Sequence, residues 1–151
     1  MIFFHEKVEK TCIYQKKVVS LQQILINAKF MIATIQEVER FLNSFHQKVE
    51  IFDILFMDER DKNNNTLHQL QITALERKDI VKTITPEDYS EGPITNILNR
   101  FGDLWVFGKD VKGQEVYIKI CYGQPNHSTI CVSFHVAEFP MNYPYKKGGN
   151  L

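Results

Sequence analysis

Between residues 34 and 45 the apolar positions fall at Ile35, Val38, Phe41, Leu42 and Phe45, the three-and-four spacing of an amphipathic helix. Thr34 with Glu37 three residues on forms a capping box, so the pattern predicts a helix beginning at about residue 35. Residues 49–57 (VEIFDILFM) are dense in β-branched and aromatic side chains and predict a mostly buried strand. Asp58 to Thr66 contains no apolar residue and reads as a solvated loop. The amphipathic stretch Leu67 to Ile72 leads to a second capping box, Thr73 with Glu76, and a helix to about Thr83. Thr85 before Pro86 starts one more helical turn, which Gly92-Pro93 breaks.

Beyond that point the period changes to two. Leu104 to Gly108, Glu115 to Cys121 and Thr129 to His135 alternate as strands do, with Gly108 and Gly113 bracketing one turn and Gly123-Gln-Pro125-Asn marking the next. Three antiparallel strands in a meander follow. The predicted class is α+β, with N-terminal helices packed on one face of a small antiparallel sheet. One domain is expected over residues 31–140, with a C-terminal tail from 141 to 151 that ends disordered.

The first 30 residues differ from this body. Five of the 18 basic and two of the 18 acidic residues lie there, which leaves 13 basic against 16 acidic from Met31 onward. Met31 stands shortly before the first capping box, so residues 1–30 read either as an upstream in-frame extension or as a loosely attached helix. Val18, Leu21, Ile24 or Leu25 and Ala28 could share one face of a short helix within it.

Composition narrows the class of protein. No apolar run approaches the roughly 20 residues of a membrane span, and the start lacks the basic, apolar and small-residue order of a signal peptide. Cys12, Cys121 and Cys131 form no Cys-x-x-Cys pair, and their odd number points to free thiols in a reducing compartment. The expected location is the cytoplasm. With no net charge, the chain carries no global basic excess of the kind that marks many nucleic-acid binders.

Chemistry concentrates on one face of the predicted sheet. Val116, Ile118 and Ile120 alternate with Tyr117, Lys119 and Cys121, while Ile130, Val132 and Phe134 alternate with Cys131, Ser133 and His135. Keeping the apolar set together on the helix side brings the polar set together on the other. A seven-residue loop, 122–128, would set Tyr117 opposite Ser133 and diagonal to His135, within about 7 to 8 Å. A phosphate fits such a group: RNA cleavage by its own 2′-hydroxyl needs a base, an acid and a cation, and His135, Tyr117 and Lys119 supply those types. The same residues are also ordinary occupants of a solvated sheet face. A metal site from Cys121, His127, Cys131 and His135 matches no standard zinc spacing, so neither metal nor cofactor is expected. Trp105 and Phe107 share one side of their strand, as core or as a base-stacking platform. Glu87, Asp88 and Glu91 could pair as acid and base, or simply cap a turn.

The order ITPEDY (84–89), LWVFG (104–108), GQEVYIKI (113–120) and ICVSFH (130–135) resembles the motility quorum-sensing regulator (MqsR) toxins, small ribonucleases of RelE-like fold. The match spans about residues 74–136. The resemblance implies a metal-independent mRNA endoribonuclease of a type II toxin-antitoxin system in a bacterial cytoplasm. Its implied partners are a cognate antitoxin protein and mRNA, free or on the ribosome, with no membrane. The family's strand tyrosine falls on Tyr117, and its terminal lysine falls on His135. Glu91 and Val106 stand where the family carries Lys and Gln. The implied catalytic set is His135, Tyr117 and Lys119, with Ser133, Trp105 and Tyr89 contacting substrate. The competing expectation is a non-catalytic interaction module that uses the exposed sheet face or an edge strand.

Overall fold

The capping boxes read from the sequence form as expected. In a computed structural model that describes residues 32–59, 61–95 and 101–148, with all their side chains but those of 61, 62 and 64, helix α1 spans Ile35–Phe52 and Thr34 and Glu37 close its first turn reciprocally. Thr73 and Glu76 do the same for α3, Ala74–Lys82. The readings of residues 1–30 and of the last three residues lie outside the described residues. Ala33 to the C-terminus forms one unit.

The class is α+β; among the described residues there are three α-helices and a five-stranded sheet of order β1 (Ile54–Phe56), β5 (Thr129–Val136), β4 (Gln114–Cys121), β3 (Leu104–Val111) and β2 (Tyr89–Ile94). Strands β3 (Leu104–Val111), β4 (Gln114–Cys121) and β5 (Thr129–Val136) are the predicted meander. Lys112 and Gly113, both at positive φ, make the two-residue turn between β3 and β4. The sheet gains a strand at each edge, which corrects two expectations. The predicted strand over 49–57 is instead the last turn of α1 followed by β1 (Ile54–Phe56), which pairs parallel with β5 and makes the sheet mixed. Val49 continues the buried stripe of Val38, Leu42 and Phe45, and that helical spacing outweighs local strand preference. Asp53 at φ 66 then turns the chain. On the far edge, Tyr89–Ile94 is β2 rather than the end of a helix. Its Pro93 is tolerated because an edge strand needs no ladder donor there, and Gly92 at φ 117 lies where a Cβ would meet the Leu104 carbonyl oxygen at 2.8 Å.

Asp61–Leu70, expected to begin as a loop, is helix α2. Its inward positions Asn63, Thr66, Leu67 and Leu70 keep helical spacing, but the first two are polar. Asn63 serves as a substitute strand: Nδ2 donates to the carbonyl oxygens of Met57 (2.7 Å) and Val132 (3.3 Å), and Oδ1 accepts the Phe134 N–H (3.1 Å). These groups lie where β1 has already ended, so the amide satisfies an edge that would otherwise stay open.

All three helices contribute to the core on one face of the sheet. Val38, Leu42, Phe45 and Val49 of α1 meet Phe107, Ile118, Ile120 and Phe134, each such side chain contributing about 1.5–3 kcal/mol when fully buried. Buried charges fasten the periphery. Lys48 donates to the carbonyls of Tyr122 (2.7 Å) and Gln124 (2.6 Å) and holds the β4–β5 loop, while Arg77 clasps both carboxylate oxygens of Asp58 and lies over the Phe56 ring. Neither anchor announces itself in the sequence. Asp88 caps Thr85 and pairs with Lys109 at 2.9 Å, so it acts as a structural brace.

Candidate functional site

Strand β4 sends Val116, Ile118 and Ile120 to the core and Tyr117, Lys119 and Cys121 to the outer face, as alternation requires. Strand β5 does not keep its alternation. The hairpin closes with Cys121 opposite Ile130, because Thr129 is drawn away to bond the Asp53 carbonyl. Between the pairs Ile120–Cys131 and Lys119–Ser133 the register then slips by one residue, a β-bulge at Val132. Cys131 therefore joins Phe134 in the core, and Ile130 and Val132 turn outward onto Cys121, Leu104, Phe101 and Met57. The expected core role of Ile130 and Val132 and the expected outer position of Cys131 are both corrected by that extra residue.

The same slip changes the pairing of the chemical groups. Tyr117 lies directly opposite His135, not Ser133, and their rings stack with centroids 5.0 Å apart and planes 15° from parallel. Lys119 places Nζ 5.4 Å from the centre of the Tyr117 ring. His135 Nδ1 is 2.9 Å from the Val136 carbonyl oxygen, which can only accept, so this nitrogen carries the proton. In the neutral ring Nε2 is thereby left as the basic nitrogen. Beside His135 lies a pocket of about 340 Å³ lined by Asn65, Thr66 and Gln69 of α2 and by the chain from Val136 to Glu138.

The tail bounds the other side. Gly108 is the β3 partner of Tyr117, and a Cβ there would run into Tyr143 Oη and meet Met141 Sδ at 2.8 Å. Gly108 is thus a mid-strand residue that admits the tail, not one end of a turn. Tyr143 Oη donates to Glu115 Oε1 at 2.6 Å, Met141 N–H donates to Oε2 at 3.2 Å, and Tyr145 stacks on Tyr89. Residues 141–145 of the predicted tail are packed through these contacts, and its last three residues lie outside the described ones. Burial, reinforced by Glu115, holds the Tyr143 hydroxyl well above its ordinary pKa.

Not all predicted site residues converge. Ser133 faces Lys119 but is only 5 % exposed. Tyr89 is fully buried on the helix side, accepting from the Ala33 N–H and donating to the Gly92 carbonyl. Trp105 faces the same way, stacked on Phe41 at 4.5 Å. These two rings therefore belong to the opposite face from Tyr117 and His135. Cys121 and Cys131 offer no ready nucleophile: burial pushes the Cys131 thiol up to about 12 and raises Cys121 as well. Cys121 and Cys131 point to opposite faces, so with His127 and His135 they make no common site; among the described residues no cluster of three His, Cys, Asp or Glu could hold a metal. Among those residues too, no helix is long and apolar enough to cross a membrane. Comparison with family models, curated proteins and solved structures finds no match for the chain.

Proposed function

We propose that the protein is the toxin of a type II toxin-antitoxin system, a metal-independent endoribonuclease acting on mRNA in the cytoplasm. The observation that carries this reading is the stacked Tyr117–His135 pair with Lys119 beside it on the outer sheet face. In the proposed reaction His135 Nε2 takes the proton of a ribose 2′-hydroxyl, whose oxygen attacks the adjacent phosphorus. Lys119 balances the charge on the pentacovalent phosphate, and Tyr117 hands its proton to the departing 5′-oxygen. The products are a 2′,3′-cyclic phosphate and a 5′-hydroxyl, with no other reactant consumed. The order of motifs, which resembles that of the MqsR toxins, supports the same reading, as does the pocket of about 340 Å³ beside His135 with Asn65, Thr66 and Gln69 in its wall.

Purified protein should cut an RNA oligonucleotide to those two ends, and a 2′-O-methyl group at the cut should block the reaction. Loss of a general acid–base group costs about 10²- to 10⁴-fold in rate, which is the expected deficit of His135→Ala. Cleavage of the 2′-O-methyl substrate, or full activity of the variant, would refute the assignment.

A second reading is supported by the edge strand β1, whose Leu55 stands exposed on the outer face beside the buried cluster of Cys121, Ile130 and Val132. A non-catalytic interaction module would use that surface for a partner protein, and a toxin would use it for its antitoxin. A small adjacent reading frame encoding a helix-turn-helix or zinc-finger protein favours the toxin, whereas an isolated gene favours the module.

A further inference from the structure

A second cavity, of about 480 Å³, opens where the first half of α1 meets the sheet, on the helix side and thus away from Tyr117 and His135. Its apolar walls are Phe41, Trp105, Pro93 and Tyr122, and its polar rim is Arg40 and Ser44. Phe41 and Trp105 stack nearly parallel, 10° apart, and form one aromatic wall in which Phe41 is the more exposed ring and Trp105, 9 % exposed, the one behind it. Arg40 and Ser44, four residues apart on α1, share one helical face. Arg40 spends Nε on the Gln36 carbonyl and leaves its terminal amines without a hydrogen-bond partner among the described residues. Glu37, also in the lining, has one carboxylate oxygen turned back onto the N–H and hydroxyl of Thr34.

Aromatic walls beside a hydroxyl and a guanidinium whose terminal amines face only the charge of Glu37 complement a planar ring that carries an anionic group. Bases stack on aromatic side chains whatever their sequence, and the guanidinium fork matches a phosphate. We infer that this groove is a nucleotide-binding site, with the base against Phe41, Trp105 and Tyr122 and the phosphate on Arg40 and Ser44. Its ligand is a free nucleotide or a nucleotide within an RNA strand. The site does not depend on the ribonuclease reading, since none of its residues belongs to the Tyr117–His135 group.

Trp105 is the sole tryptophan, so its emission reports on this groove alone. Titration of the full chain with AMP should quench that emission to saturation, and adenosine should bind about tenfold more weakly for want of the charge-assisted bonds. Arg40→Gln, at an exposed position, should erase that difference with melting unchanged, and Ser44→Phe should fill the groove and abolish both responses. A 2′-O-methyl adenylate hexamer that binds more tightly than AMP identifies an RNA segment as the ligand; one that binds no better identifies a free nucleotide. His135→Ala should change none of these values, which separates this test from that of the catalytic site. Absence of a saturable response to both AMP and the hexamer would overturn the inference. So would equal AMP and adenosine affinities in the unaltered protein.

Discussion

Residues 116–120 of β4 alternate between two surfaces that obey different rules. Val116, Ile118 and Ile120 are fully buried against α1, and β3 and β5 supply Phe107 and Phe134 to the same layer. Tyr117 and Lys119, one step along the same backbone, are half-buried and touch a histidine and each other. The inner face holds the fold, and at Tyr117 and Lys119 the outer face carries groups whose removal leaves little cavity. Stability and chemistry should therefore separate by single residues along one strand.

The largest expected effect tests that separation. Ile118→Ala should cost about 2–5 kcal/mol, as deleting a buried Ile side chain does. Tyr117→Ala should cost only about 1 kcal/mol, the worth of a cross-strand pair, while removing RNA cleavage. Thermal melts of both variants beside a cleavage assay measure the contrast; equal destabilisation would break it.

Next in size is the edge where the two faces meet. Asn63→Leu removes the groups bonded to the Val132 carbonyl and the Phe134 N–H, and an unsatisfied buried group costs about 1–3 kcal/mol. Faster amide exchange at Phe134 than at Ile118 should accompany the lowered melting temperature. Uniform acceleration across β4 and β5 would show that Asn63 does not act at the edge.

These two sites differ in how readable they were. The inner face of β4 follows from strict alternation, and both α1 and α3 follow from capping boxes with helical spacing. The face assignment of β5 does not, because TICVSFHV is apolar on both sides of its strand and no periodicity locates an extra residue. That is why the Tyr117–His135 group was legible as a set but not as a stacked pair. Helix α2 hides for a related reason: its buried stripe starts with Asn63 and Thr66, so hydrophobic spacing is blind to it. In the last turn of α1 the signal was present, since Val49 lies four residues beyond Phe45, but strand-forming composition masked it. Of the two edge strands, β1 lies within the stretch read as a strand, but its parallel pairing with the distant β5 is encoded by no local pattern; β2 pairs with the next strand, β3, and is masked by Gly92-Pro93, which reads as a break.

A smaller effect lies in the helix layer that closes the inner face. His46 Nε2 is buried with no hydrogen-bond partner, and burial, only partly offset by Glu50, depresses its pKa. A depressed histidine means the unfolded chain binds the proton more readily. Stability is therefore full above the unfolded value of about 6.5 and declines as pH falls below it toward the folded pKa. Denaturant midpoints of His46→Gln should fall less over that window than those of the unaltered protein; parallel curves would remove His46 from the account. On the outer face the counterpart is Gly108→Ala. Its Cβ displaces the Tyr143 hydroxyl from Glu115 and the end of Met141, so stability should fall by about 0.5–1.5 kcal/mol, the worth of one hydrogen bond, while amide exchange over residues 141–145 accelerates. Unchanged exchange there would mean that the tail does not rest on Gly108.

The central claim is that the outer-face pair of Tyr117 and His135 acts on RNA. Its most direct test is tightly controlled expression of the full chain in a bacterial host, following growth and total mRNA integrity beside the double variant Tyr117→Phe, His135→Ala at matched soluble level. The account predicts growth arrest with loss of mRNA that the double variant abolishes. Arrest that persists undiminished in the double variant, or normal growth with intact mRNA in the unaltered protein, would contradict it.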